Sequence, residues 1–259
     1  MMLRMWQVDA FTDQRFGGNP AAVVPLDAWL DDTVMQSIAA ENNLSETAFF
    51  VPENGGYHLR WFTPAMEVPL CGHATLATAA VVFAHLQPGA ARIEFHSRSG
   101  PLVVTRDGEK YALDFPEYPC DRIDVPRLLA EALGAEPAEA WLGSKMMAVF
   151  ERASQVKALQ PDFRKVAAIG AFGVIATAPG EDCDFVSRYF VPQGGVDEDP
   201  VTGSAHCQLT PYWAKRLGKP AMFARQVSAR GGALWVEHLP PRVRIAGHAV
   251  EYLSGTIQF

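Results

Sequence analysis

The chain has 259 residues, 49% hydrophobic and 20% charged, a balance that suits a soluble protein with one large core or two smaller ones, two lobes being the better fit. A formal net charge of −7 and a sequence pI of about 5.5 leave no positive field to gather phosphates, so neither nucleic acid nor a membrane is an expected partner. The N-terminus carries Asp9 and no long apolar run, and the longest membrane candidate, 74–86, is too short and contains His85, which predicts a cytoplasmic protein.

In chain order, alternating or apolar runs bounded by turn residues predict strands at 5–11, 21–24, 47–51, 57–62, 92–96, 102–106 and 110–115. Helices are expected between them at 31–42 and 73–85, the second rich in Ala and Leu. Two prolines among polar residues at 115–121 predict a lobe boundary, giving lobes 1–117 and 118–259, with the last strand free to pack back on the first lobe. The pattern then restarts: helices at 125–133, closed by Gly134, and 162–168; strands at 173–178 and 184–191; a helix at 204–217 interrupted by Pro211; strands at 234–237 and 242–246. The cysteines at 71, 120, 183 and 207 form no Cys-x-x-Cys pair, so free thiols are expected.

The two halves echo each other. Arg60-Trp61-Phe62-Thr63-Pro64 precedes Cys71-Gly72-His73-Ala74, and Arg188-Tyr189-Phe190-Val191-Pro192 precedes Asp199-Pro200-Val201-Thr202-Gly203-Ser204-Ala205. Each half thus carries a strand end, a short loop and a helix opening on small residues, a degenerate internal repeat. A helix that opens on Gly72 and Ala74, or on Gly203 and Ser204, lets an anion approach its unpaired backbone N–H groups, and two facing openings would clamp a carboxylate. Taken singly, either opening equally suits close helix–strand packing.

Glu46 stands where polar residues give way to an apolar strand, and partial burial there would bring a carboxyl group toward the range useful for proton transfer. A solvated turn is the plainer reading of that position. His73 is a candidate to hold a proton or polarise a substrate oxygen, Asp199 to orient it or accept a proton, and Asn19 to bind substrate through its amide. Each also reads as an ordinary cap or turn residue. The chain has no P-loop, no Gly-x-Gly-x-x-Gly and no His-x-x-x-His pair, so neither a cofactor nor a metal is expected.

Asp9-Ala10-Phe11-Thr12 with Gly18-Asn19-Pro20, Asn43-Leu44-Ser45-Glu46-Thr47, the Arg60 and Cys71 motifs, and the Asp199 motif, in this order and spacing over most of the chain, resemble the PhzF family of phenazine biosynthesis. Arg230-Gly231-Gly232 and Val243-Arg244-Ile245-Ala246-Gly247 are also similar to that family. The resemblance implies an α/β (α+β) fold of two pseudo-symmetric lobes, each a curved sheet around a central helix, as in diaminopimelate epimerase. It further implies a homodimer and a cofactor-independent isomerase acting on a small carboxylate-bearing substrate at an inter-lobe cleft. The family's proton-moving glutamate falls on Glu46, its histidine on His73, and its Asp and Ser on Asp199 and Ser204. Two alternatives stay open: a cysteine-assisted epimerase or racemase using Cys71, for which the second lobe offers no matching thiol, and a noncatalytic protein that binds small molecules or partners on the same scaffold.

Overall fold

The computed structural model describes residues 2–259, which fall into two compact units: the chain up to Asp114 together with Ala246–Phe259, and Phe115–Ile245. In the first unit β1 (Met2–Ala10) pairs antiparallel with β2 (Asn19–Pro25). After α1 (Asp32–Asn42), β3 (Glu46–Glu53) joins parallel to β2 and antiparallel to β4 (Gly56–Phe62), which forms a short hairpin with β5 (Glu67–Val68). Helix α2 (Gly72–Val81) continues into a π-helical turn, Val82–Leu86, where the Gln87 N–H reaches back to the Val82 carbonyl. The helix expected over 73–85 therefore changes its winding after Val81. Strands β6 (Arg92–His96), β7 (Leu102–Asp107) and β8 (Lys110–Pro116) follow, β6 lying parallel to β4.

The second unit contains β9 (Asp121–Ile123), α3 (Arg127–Leu133), β10 (Glu139–Leu142), β11 (Met146–Val149), α4 (Ala153–Ala158), α5 (Phe163–Ala167), β12 (Val174–Pro179), β13 (Phe185–Val191) and β14 (Val196–Asp199). They are followed by α6 (Gly203–Leu217), β15 (Ala221–Gln226), β16 (Gly232–Leu239) and β17 (Arg242–Gly247). Its pairings repeat those of the first unit: β10 antiparallel to β11, β11 parallel to β12, β12 antiparallel to β13, β13 antiparallel to β14 and parallel to β15. The last strand, β18 (Ala249–Gln258), pairs antiparallel with β1.

Each unit buries a helix that opens on small residues. All ten residues of α2 are buried, and it packs on β1, β2 and β3. Its buried hydroxyls are satisfied locally, since Thr75 and Thr78 donate to the Cys71 and Ala74 carbonyls one turn back. On the opposite face, Met35, Ile38 and Ala39 of α1 cover Val24, Phe49, Val51 and Phe62. In the second unit Trp213 of α6 stacks on Phe185 of β13, while residues of α3, α4 and α5 cover Val174, Ala176, Val186 and Phe190.

Pro211 does not interrupt α6. A proline deprives the carbonyl four residues back of its helical donor; that carbonyl, Cys207 O, instead accepts the Tyr118 N–H at 2.9 Å. The repeated Arg-aromatic-Phe-x-Pro strands are two equivalent hairpins. The Arg60 guanidinium forks onto Glu67 at 2.8 and 2.9 Å, and that of Arg188 onto Glu198 at 2.8 and 2.7 Å. The four cysteines are free thiols, and no described helix is long and apolar enough to cross a membrane.

Candidate active site

The first unit brings Asn19, Glu46, Cys71 and His73 together. Asn19 opens β2, behind a tight turn in which Gly18 has φ +60° and a Cβ would lie 2.1 Å from the Ala10 carbonyl, so only glycine fits there. Glu46 opens the adjacent β3, and His73 stands in the first turn of α2, after the extended N-cap Cys71. His73 is 3% exposed. The Asn19 amide nitrogen lies 3.0 Å from His73 Nδ1, and Glu46 Oε2 lies 3.1 Å from His73 Nε2.

With the Asn19 amide donating to Nδ1, the ring proton of a neutral His73 resides on Nε2, facing Glu46. A charged ring carries protons on both nitrogens, and the Asn19 side chain then accepts from Nδ1 through its amide oxygen. In either state Glu46 stands as the acceptor of the pair. The contact is at ion-pair distance but lacks hydrogen-bond alignment, so Oε2 and Nε2, both enclosed, have no aligned partner in the protein.

Cys71 Sγ lies 3.5 Å from the same Nδ1 that Asn19 bonds. Burial, reinforced by the Glu46 carboxylate, pushes the thiol up to about 11. Burial opposes charge on His73, yet the Cys71 sulfur and the Glu46 carboxylate outweigh it and hold the imidazole well above the ordinary histidine range. Since a thiol at about 11 is neutral near pH 7, Glu46 is the neighbour whose charge sustains that shift. Ligand atoms of Glu46, Cys71 and His73 lie within 4.8 Å of one another. The thiol meets Nδ1 and the carboxylate meets Nε2, so the ring bridges its two neighbours.

Of the sequence-derived substrate-binding positions on this unit, Gly72 and Ala74 lie buried in the first turn of α2, where helix geometry leaves backbone N–H groups without intrahelical acceptors. The Ala74 N–H is turned toward the Cys71 sulfur.

In the second unit Asp199 ends β14, and Gly203 and Ser204 open α6. Asp199 accepts the Thr202 hydroxyl, and Gln226 ties the loop down, accepting the Thr202 N–H at 2.9 Å and donating to the Asp199 carbonyl at 2.8 Å. Two further polar groups here lie outside the sequence reading. His206, fully buried, donates from Nδ1 to the Thr202 carbonyl at 2.8 Å, and burial brings it down to about 4. Lys145, 7% exposed, follows β10 in a turn whose sequence, Gly143-Ser144-Lys145, reads as an ordinary surface loop.

Comparison with known proteins identifies the family and the fold. The family model described as phenazine biosynthesis-like protein matches residues 8–255. A Pseudomonas aeruginosa protein named an uncharacterized isomerase is 53% identical over 100% of this chain and 99% of its own length. The crystal structure of a PhzF family protein from Enterococcus faecalis is 47% identical, with a TM-score of 0.97 over the whole of both chains. A hydroxyproline epimerase from Agrobacterium vitis, 11% identical with a TM-score of 0.64 over 99% of this chain and 92% of its own, shares the fold. The chain belongs to the PhzC-PhzF family of phenazine biosynthesis-like proteins, an isomerase-like family with an epimerase-like fold.

Proposed function

We propose that this protein is a cofactor-independent isomerase that moves a proton between atoms of a small carboxylate-bearing substrate, with Glu46 as the group that takes the proton and returns it. The observation that carries this reading is the buried relay Asn19–His73–Glu46, in which Nε2 stands 3.1 Å from the carboxylate and Nδ1 is fixed by the amide. A carboxylate whose side chain is only 16% exposed, beside an imidazole N–H, is shielded from bulk water yet keeps a neighbour able to share a proton. The negative charge that develops as a proton leaves carbon is met by His73, while Asp199, which already accepts the Thr202 hydroxyl, accepts a hydrogen bond from a polar substituent. Backbone amides at Gly72 and Ala74 and at Gly203 and Ser204, with the Asn19 amide, hold the substrate's polar groups.

A thiol-assisted reaction at Cys71 is the second reading, favoured by the 3.5 Å contact with His73 Nδ1. Its weakness is the thiol at about 11, because the thiolate is the reactive form.

The test is deuterium exchange by NMR, run in D2O with a panel of cyclic and aromatic hydroxy and amino carboxylic acids. Wild type should exchange a carbon-bound proton of at least one member, and Glu46→Gln should slow this by about 10²–10⁴-fold, the range for loss of a general acid–base group. Exchange by Glu46→Gln at the wild-type rate refutes the assignment.

A further inference from the structure

Lys145 is an ammonium ion taken almost wholly out of water without a carboxylate to meet it. Its ammonium lies over two phenol rings, with Nζ 5.7 Å from the Tyr118 ring centre and 5.8 Å from that of Tyr189. These are its only side-chain interactions among the described residues at contact range. Asp199 and Cys207 act on it through their charge, but neither forms an ion pair with it. The ammonium is not among the enclosed polar atoms that lack a partner, so it keeps a narrow opening to solvent.

The backbone is built to hold it there. The Gln208 side chain, on α6, accepts the Lys145 N–H at 3.2 Å and donates to the Lys145 carbonyl at 3.0 Å, a two-point clamp. It also accepts the Ser144 hydroxyl at 3.4 Å. Gly143 is required beneath it, since a Cβ there would lie 2.6 Å from the Pro119 carbonyl and 2.9 Å from Gln208 Oε1. A buried, unpaired charge costs stability and survives where another group completes it. Burial accordingly draws the Lys145 amine below the ordinary lysine range, with Cys207 and Asp199 opposing.

We propose that Lys145 is an anion-binding residue of the second unit, whose ammonium pairs, at its opening to solvent, with the carboxylate of a small organic acid. The identity of the ligand rests on the isomerase reading above; the presence of an anion site does not. The ammonium supplies a full positive charge that backbone amides alone do not.

The probe is benzoate. Its affinity is measured for wild type, Lys145→Met and Glu46→Gln, and the Lys145 Cε signal of ¹³C-lysine-labelled protein, identified by its loss in Lys145→Met, is titrated with pH. Wild type should bind benzoate saturably, and Lys145→Met at least tenfold more weakly. Benzoate should raise the pH at which Lys145 titrates, because an anion favours the charged amine. Lys145→Met should melt no lower than wild type, since a buried charge is replaced by an apolar chain of similar length. Absent benzoate binding, affinity within twofold in Lys145→Met, or a lysine whose titration benzoate leaves unmoved overturns the proposal. A clear drop in the melting temperature of Lys145→Met assigns the residue to packing against the tyrosines and overturns it as well. The Glu46 mechanism fails separately: Glu46→Gln should still bind benzoate, and its exchange rate alone decides the proton shuttle.

Discussion

Acidification should destabilise the second unit through a single side chain, His206. Its ring is fully buried, lies against Phe185 and donates from Nδ1 to the Thr202 carbonyl at 2.8 Å. A carbonyl only accepts, so the proton is on Nδ1 and Nε2 is bare; Nε2 is enclosed and has no partner in the protein. Protonating the ring would place a cation there with nothing to receive its second N–H, and burial therefore brings the group from 6.5 down to about 4. In the unfolded chain the same ring takes its proton near 6.5. Between these values the unfolded state binds more protons, so stability falls as pH drops from about 6.5 to about 4 and is unaffected by this group above that window. At about 1.4 kcal/mol for each pH unit, and with half-protonation at the lower end, the loss at pH 4 is about 3 kcal/mol. With an m-value of about 3 kcal/mol/M, that moves a urea midpoint by about 1 M. The comparison is His206→Asn, whose amide reaches the Thr202 carbonyl much as Nδ1 does but does not titrate. Urea unfolding followed by tryptophan fluorescence at pH 7, 5.5 and 4 should show the wild-type midpoint falling by about 1 M more than the variant's. Parallel acid limbs in the two proteins would refute the reasoning. His73 acts with the opposite sign: its raised value adds stability below about 6.5 that is lost as pH climbs through its folded value.

Two other outcomes are expected. Cys71→Ser should keep deuterium exchange within about tenfold of wild type, because a thiol at about 11 holds little thiolate near pH 7; loss of exchange, with the fold intact by circular dichroism, would move the chemistry to the sulfur. Arg188→Met should cost about 3–5 kcal/mol in denaturant unfolding, since it leaves the largely buried Glu198 carboxylate without its fork, and Arg60→Met should cost less, because Glu67 keeps Arg98 at 2.9 Å. Pairing Arg60→Met with Glu67→Gln should recover part of that loss, and an additive double mutant would contradict it.

How much of this was legible from the chain depended on the reach of the interactions involved. The echo between Arg60-Trp61-Phe62 and Arg188-Tyr189-Phe190 pointed to two equivalent strand ends, because what fixes each is a glutamate only seven or ten residues away. Glu46 and His73 were readable as residue types at element starts, whereas their 3.1 Å meeting depends on β3 and α2 being brought together by the sheet. Lys145 and His206 were not readable at all. A lysine after Gly-Ser looks like surface, and only Tyr118, Tyr189 and Gln208, distant in the chain, bury it. Short or exposed strands were missed for a related reason: β9, β10, β11 and β14 have three or four residues each, and most of β18 is exposed, so neither alternation nor apolarity marks them. Pro211 misled because the donor that replaces its helical bond, the Tyr118 N–H, comes from nearly a hundred residues upstream.

The repeat also bears on the proposal that a single acid shuttles the proton. Thr47 pairs with Phe62 in the first unit and Val174 with Phe190 in the second, so the residues before them, Glu46 and Gly173, occupy corresponding places. Gly173 has φ +89°, and a Cβ there would lie 2.4 Å from the Tyr189 hydroxyl, so the second unit cannot carry a side chain, acidic or otherwise, at that position without moving Tyr189. A racemase that inverts a centre with two opposed bases needs one on each side of the substrate. Here duplication supplied the scaffold twice, but the acid stands in one copy, while the other places the Tyr189 ring beside the Lys145 ammonium. On the proposed reading one carboxylate lifts a proton and sets it down elsewhere on the same substrate, a reaction for which a single acid suffices.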